Sequence, residues 1–221
     1  MNKRVIIIGG EGNGGVIAAC IEDNRRRFKD EEWIVAGFLN DLEKGGEING
    51  YPVLGGTDEI NKFLQDEYYF MFAIHMIGRN VKSEEVFLRM NIPHSRLATI
   101  IHKTAFVANN AIIEPGVFVM SNCYIGPAAK IGYCTLIMAN ALIGHNTTVG
   151  PLCHFSVGSV TSSYISIGKV SDVALGAKVL EKRTIGNYAV AGANSLITHD
   201  IPDYEIHVGN PAQFLKRVRE D

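Results

Sequence analysis

The chain has 221 residues, 47% of them hydrophobic, and its 21 Lys and Arg nearly balance its 23 Asp and Glu, for a net charge of -2. That balance argues against general nucleic-acid binding, and the length allows one domain or two small ones. No apolar run approaches the ~18 residues of a membrane helix, so no membrane span is expected. The N-terminal "MNKRVIIIGG" passes straight into a strand pattern without a secretory leader, which predicts a cytoplasmic protein.

The first element is the β-branched run Val5–Ile8, the pattern of a buried parallel strand, and a glycine cluster follows it. Val16, Ile17, Cys20 and Ile21 then recur at helical spacing. Gly10, Gly12 and Gly15 fit G-x-G-x-x-G, which permits a tight turn and close approach of backbone N–H groups to a diphosphate at the helix N-terminus. Such a turn serves any phosphate, so by itself it does not select a nicotinamide dinucleotide. Next come a second strand in "WIVAGFLND", the turn-rich "EKGGEINGYPVLGG", a helix over Thr57–Leu64, a third strand in "YYFMFAIH" and a helix from about Lys82 to Met90. Thr57 and Ser83 are the expected caps of those two helices. The alternation is half of a doubly wound α/β fold, an N-terminal half-Rossmann domain over residues 1–98.

From Ile101 onward, within residues 99–221, the period becomes six. Every sixth residue from Ile101 to Ile197 is Ile, Val or Phe in fifteen of seventeen cases, and the residue four later is usually small. Glycine follows the repeat residue at Gly126, Gly132, Gly144, Gly150, Gly168, Gly186 and Gly192. A six-residue repeat predicts a parallel β-helix of three-faced coils, with aliphatic side chains inward, small ones near corners, and residues 18 apart stacked. A helical period of 3.6 cannot lock to six over so many repeats. The four cysteines have neither C-x-x-C pairing nor histidines at zinc-finger spacing, so they read as core residues and no metal is expected.

At these hexads the sequence resembles the left-handed β-helix (hexapeptide-repeat) acyltransferases. Within them it is similar to the bacterial nucleotide-sugar N-acetyltransferases that make acetamido sugars. The resemblance rests on "VIIIGGEGNGG", "FLND", "INGYPVLGG", "ATIIHKTAFV", "ALIGHNTTVGPLCHFSVG" and "HVGNPAQFLKRV", which together span most of the chain. It implies the left hand of the helix, acetyl-CoA as co-substrate, a nucleotide-linked, UDP-type amino sugar as acceptor, and a homotrimer whose cofactor cleft lies between neighbours.

Acyl transfer from a thioester to an amine needs a base for the amine proton and donors for the oxyanion. His145 is the third residue of its hexad and should project outward between the inward Ile143 and Thr147. The resemblance makes it the catalytic base; where many members carry an acidic residue next, this chain has Asn146, which can accept a hydrogen bond but supplies no charge. His154 matches a second family histidine near acetyl-CoA, and equally could be a coil residue hydrogen-bonded to Asp172, 18 residues on. Gly158 and Gly176, with Ser163, are the expected contacts for pantetheine. In the N-terminal domain the phosphate cradle would be Gly10, Gly12, Asn13 and Gly14, although family members often have His at position 13. Asp41 could accept hydrogen bonds from ribose or base, or cap a turn. Lys216, Arg217 and Arg219 read as a solvated tail helix, His102 as structural, His199 and His207 as surface, and His75 and His94 stay without a role. O-acetylation would use the same base; a zinc hydratase on this fold would need three converging histidines, and a non-catalytic sugar-nucleotide binder would tolerate loss of His145.

Overall fold

The computed structural model describes residues 2–219. Strands β1 (Lys3–Ile8), β2 (Trp33–Leu39), β3 (Glu47–Ile48), β4 (Tyr51–Gly55) and β5 (Tyr68–Phe72) form one sheet in the order β3-β4-β2-β1-β5. Pairing is parallel except between β3 and β4. Helices α1 (Asn13–Phe28), α2 (Asn61–Leu64) and α3 (Asn80–Met90) complete the unit. The hairpin β3–β4 was hidden in the turn-rich stretch, since a two-residue strand carries no periodicity. The expected helix over Thr57–Leu64 is split into a 3₁₀ turn, Thr57–Glu59, and the short α2.

Neither expected cap sits at the cap position. Gly56 precedes the 3₁₀ turn and Arg79 precedes α3, which starts two residues earlier than expected. The Ser83 hydroxyl instead accepts the Met76 N–H at 2.9 Å, tying the loop after β5 to α3.

From Ile100 to Ile197 the chain winds in 18-residue coils of a left-handed β-helix, each built from three two-residue strands joined by four-residue corners. Register is strict: Tyr124 pairs Leu142, Lys130 pairs Thr148, and Leu136 pairs His154. The sixth-residue aliphatics face inward, with Ile125, Ile137, Ile143 and Phe155 fully buried. The hydroxyls of Thr135 and Thr147 inside the coils donate to carbonyls of the next coil at 3.2 Å, which compensates their burial, whereas that of Ser159 is buried without a partner.

The glycine after the repeat residue serves close stacking. A Cβ on Gly126 would lie 2.7 Å from the His145 nitrogen, and one on Gly144 would overlap the Ser162 carbonyl. The left-handed residue lies two positions later and is rarely glycine; Asn140, Asn146, Leu152 and Val170 all take φ near +57°.

One face of the prism carries the strands at Ile100, Phe118, Leu136, His154, Asp172 and Val190. The N-terminal domain lies on it: Ile100, Phe118 and Leu136 pack with Val5, Ile7, Ile17 and Phe38. At the next corner Cys134, Leu152, Val170 and Tyr188 pack with Phe72, Phe87 and Met90. Lys169 and Tyr188 also reach Glu84 of α3, at 2.8 and 2.5 Å. The chain ends in an antiparallel pair, β6 (Glu205–Gly209) and β7 (Ala212–Arg217), so the basic tail is an edge strand and not a helix.

Candidate active site

In the α/β unit the strand order reverses between β1 and β5, and a ligand crevice is expected outside their carboxyl ends. Gly10 and Gly12 line that edge. Helix α1 starts at Asn13 without a side-chain cap; the Gly15 N–H is taken by the Gly10 carbonyl at 3.1 Å, which leaves the N–H groups of Asn13 and Gly14 for an anion. Two of the four expected cradle residues have other duties. Gly14 is buried, and a Cβ there would lie 3.2 Å from the Phe38 ring, so it serves helix-on-strand packing. The Asn13 amide donates to the Ala73 carbonyl at 3.3 Å, which leaves its backbone N–H as the group that can face an anion.

Asp41 is spent as a cap. Its carboxylate accepts the Thr57 N–H at 2.7 Å and the Thr57 hydroxyl at 2.9 Å. It still lines a recess of about 490 Å³ with Lys44, Asp58 and Arg89. Arg89 donates to the Thr57 hydroxyl at 3.1 Å. Lys44 and Arg89 escaped the sequence reading because isolated cations on a turn and a helix carry no pattern.

His145 stands exposed at a corner of the β-helix while Ile143 and Thr147 are fully buried beside it. Its backbone is pinned: Tyr164 N–H donates to its carbonyl at 3.1 Å, and the Tyr164 ring meets the imidazole edge-on at 5.1 Å. Nδ1 lies 2.9 Å from the Asn146 side-chain oxygen. An amide oxygen only accepts, so Nδ1 carries the hydrogen and Nε2 keeps a free lone pair. Asn146 at φ +57° is one of the residues that adopts this conformation at low cost.

The expected acetyl-CoA residues do not form one surface within a single chain. Ser163, 18 residues after His145, belongs to the His145 corner, where its carbonyl accepts Lys182 N–H at 3.1 Å. Gly158 and Gly176 stack at the preceding corner with φ +67° and +64°, and no atom within 4 Å would meet a Cβ on Gly158. His154 lies on the third surface, the face covered by the N-terminal domain, 7% exposed. It is paired in register with Asp172, but Nδ1 lies 3.8 Å from the carboxylate, so the hydrogen bond of the stacking alternative is not made. Burial lowers its pKa to about 4 and raises that of Asp172 to about 7.

The other histidines divide cleanly. His102 is buried, with Nε2 at 3.0 Å from Asp23 of α1, and joins the first coil to that helix. His207 pairs with Glu205 at 2.8 Å. His75 sits three residues beyond β5, its ring 5.7 Å from that of His154. All four cysteines are buried, and burial pushes the thiols of Cys20 and Cys153 up to about 12, which removes them as nucleophiles. Among the described residues no group of three or more His, Cys, Asp or Glu could hold a metal ion, and no helix is long and apolar enough to cross a membrane.

Residues 4–89 match the family model of the PglD N-terminal domain. The acetyltransferase domain of PglB from Neisseria gonorrhoeae, solved with acetyl coenzyme A, superimposes with TM-score 0.83 at 27% identity over 97% of this chain and 100% of that one. The chain is thus similar to the PglD-type proteins in its N-terminal domain and to a hexapeptide-repeat acetyltransferase domain over nearly its whole length. The same fold is seen in a mutant of perosamine N-acetyltransferase from Caulobacter crescentus, solved in complex with CoA and GDP-perosamine: TM-score 0.82, 24% identity, 96% of each chain. Among curated sequences, SAV2555 of Staphylococcus aureus is 30% identical over 114 residues, 51% of this chain. The chain spans little more than half, 57%, of that relative's length.

Proposed function

We propose that this protein is an acetyl-CoA-dependent N-acetyltransferase acting on the amino group of a nucleotide-linked, UDP-type sugar. Residues 1–98 hold the nucleotide and residues 99–221 carry out acyl transfer. The observation that carries the proposal is His145: an exposed imidazole on a rigid corner, its Nδ1 committed to Asn146 and its Nε2 free to take a proton. The acceptor amine attacks the thioester carbonyl directly, and His145 removes the amine proton as the tetrahedral intermediate forms or collapses. With every cysteine buried, no acetyl-enzyme is required and a ternary complex is expected.

Support for the nucleotide comes from the uncapped α1 N-terminus beside Gly10 and Gly12, and from the recess at Asp41 with Lys44 and Arg89. A homotrimer would bring the Gly158–Gly176 corner of one chain toward the His145 corner of the next. In favour of it, the face between those two corners exposes Phe106 and Tyr124, stacked at 5.0 Å, an apolar ridge suited to a partner coil. Acetyl-CoA turnover with UDP-, GDP- and dTDP-linked amino sugars tests the reading. Thioester cleavage dependent on one of these acceptors is expected; none with any of them overturns it.

A further inference from the structure

Away from His145, the imidazole of His102 stands between a hydroxyl and a carboxylate. On the first coil the Thr104 Oγ1 lies 2.9 Å from His102 Nδ1, and the other ring nitrogen, Nε2, lies 3.0 Å from Asp23 Oδ2 on α1. The neighbours fix where the hydrogens sit. The Thr104 N–H also reaches Nδ1, at 3.2 Å, and a backbone N–H only donates. Nδ1 is therefore an acceptor, and the ring hydrogen sits on Nε2 and donates to Asp23. At the other end the Asn122 N–H donates to Thr104 Oγ1 at 3.1 Å, which occupies a lone pair and leaves the hydroxyl hydrogen to point at Nδ1.

The imidazole is held in place. It is 3% exposed, the Phe28 ring meets it edge-on at 5.7 Å, and Arg26 and Arg27 fix the Asp23 carboxylate at 3.4 and 3.0 Å. Thr104, by contrast, is exposed. It lines a cavity of about 360 Å³ between α1 and the first two coils, with Val16, Ala19 and Met120 on its apolar side and Ser121 and Asn122 on its polar side. Neither His145 nor the glycine cradle lines this cavity.

A hydroxyl that can hand its proton to a base, a carboxylate that orients the base, and an adjoining cavity are the parts of a nucleophilic acyl-transfer site. We propose that Thr104, His102 and Asp23 form a second, hydrolytic site that cleaves small acyl esters, with Thr104 as nucleophile, His102 as its base and Asp23 as a positioning residue. Thr104 Oγ1 bonds to the ester carbonyl carbon as its proton passes to Nδ1, and the carbonyl π pair moves onto the carbonyl oxygen. The Ser121 hydroxyl and the Asn122 amide line the same cavity as donors for that oxyanion. Collapse breaks the bond to the alcohol oxygen, which takes the proton from Nδ1. Water then attacks the acyl-threonine carbonyl and gives a proton to Nδ1; Thr104 Oγ1 leaves with that proton, and the carboxylic acid is released. The apolar side suits an acyl group of a few carbons. The step needs neither acetyl-CoA nor a sugar nucleotide, and it does not depend on the acetyltransferase reading.

The test uses full-length protein and 4-nitrophenyl acetate, with no acetyl-CoA present. Wild type should release nitrophenol with saturation kinetics. Thr104→Val keeps the shape of the side chain and removes the nucleophile, so it should lower kcat about 100-fold, and Thr104→Ser should retain turnover. Asp23→Asn should lower kcat and leave KM within a few-fold, as expected of a residue acting through His102. Diisopropyl fluorophosphate should modify Thr104, with the site read by peptide mass spectrometry. Turnover no faster than that of free imidazole, full turnover in Thr104→Val, or a label on residues other than Thr104 overturns the proposal. Should Thr104→Val fail to fold, the labelled residue in wild type decides alone.

Discussion

Replacing His145 with alanine separates catalysis from folding, because the imidazole is exposed and its side-chain contacts are Asn146 and the edge of Tyr164. Such a surface truncation shifts stability by about 0.5 kcal/mol or less. Loss of a general base costs about 10² to 10⁴ in rate, which at ~1.36 kcal/mol per decade is ~2.7 to 5.5 kcal/mol of transition-state stabilisation. The neighbour should behave differently. Asn146 contributes one neutral hydrogen bond, worth ~0.5 to 1.5 kcal/mol, so its loss should cost about 2- to 12-fold. Asn146→Gly is the clean version, since glycine tolerates φ +57° and an alanine there adds backbone strain. Steady-state kinetics with acetyl-CoA and the amino-sugar acceptor measure both variants. His145→Ala should lower kcat by the stated factor and leave KM for each substrate within a few-fold. Near-normal kcat in His145→Ala, or ping-pong kinetics, would refute the assignment.

Three further outcomes follow from the same geometry. Calorimetry should show UDP or a UDP-sugar binding and NAD not binding; Asp41→Ala should weaken nucleotide binding, spare acetyl-CoA, and cost ~0.5 to 2 kcal/mol of stability through the lost Thr57 cap, and tight NAD binding would contradict the site. Light scattering should give three copies at micromolar concentration, and a fully active monomer would remove the intersubunit cleft. Stability should fall on acidification from about pH 6.5, because the unfolded chain protonates at position 75 while burial holds native His75 to about 3. One proton of difference gives a slope of ~1.4 kcal/mol per pH unit. His154 and Asp172 add little slope there, since burial lowers the one and raises the other, and the two shifts largely offset each other. Urea titrations at pH 4.5, 5.5 and 6.5 should show that slope in wild type and a flatter one in His75→Phe.

The six-residue period determined the coils by itself, because a side chain's inward or outward direction repeats locally and needs no other part of the chain. For the same reason His145 was legible: two buried neighbours on a known corner force the residue between them outward. What covers an outward face is a different matter. Leu136, His154 and Asp172 occupy equivalent hexad positions, and only the docking of β1, β5 and α3 turned that face into an interior where one imidazole loses its water and burial raises the pKa of one carboxyl. Asp41 and Asn13 carry the right chemistry for a ligand, yet Thr57 and Ala73, distant in sequence, claimed their side chains first. The basic terminal segment became a strand because β6 offered an unpaired edge. Period and residue type are properties of neighbours along the chain; burial and hydrogen-bond competition depend on which distant residues arrive, and those the tertiary structure decided.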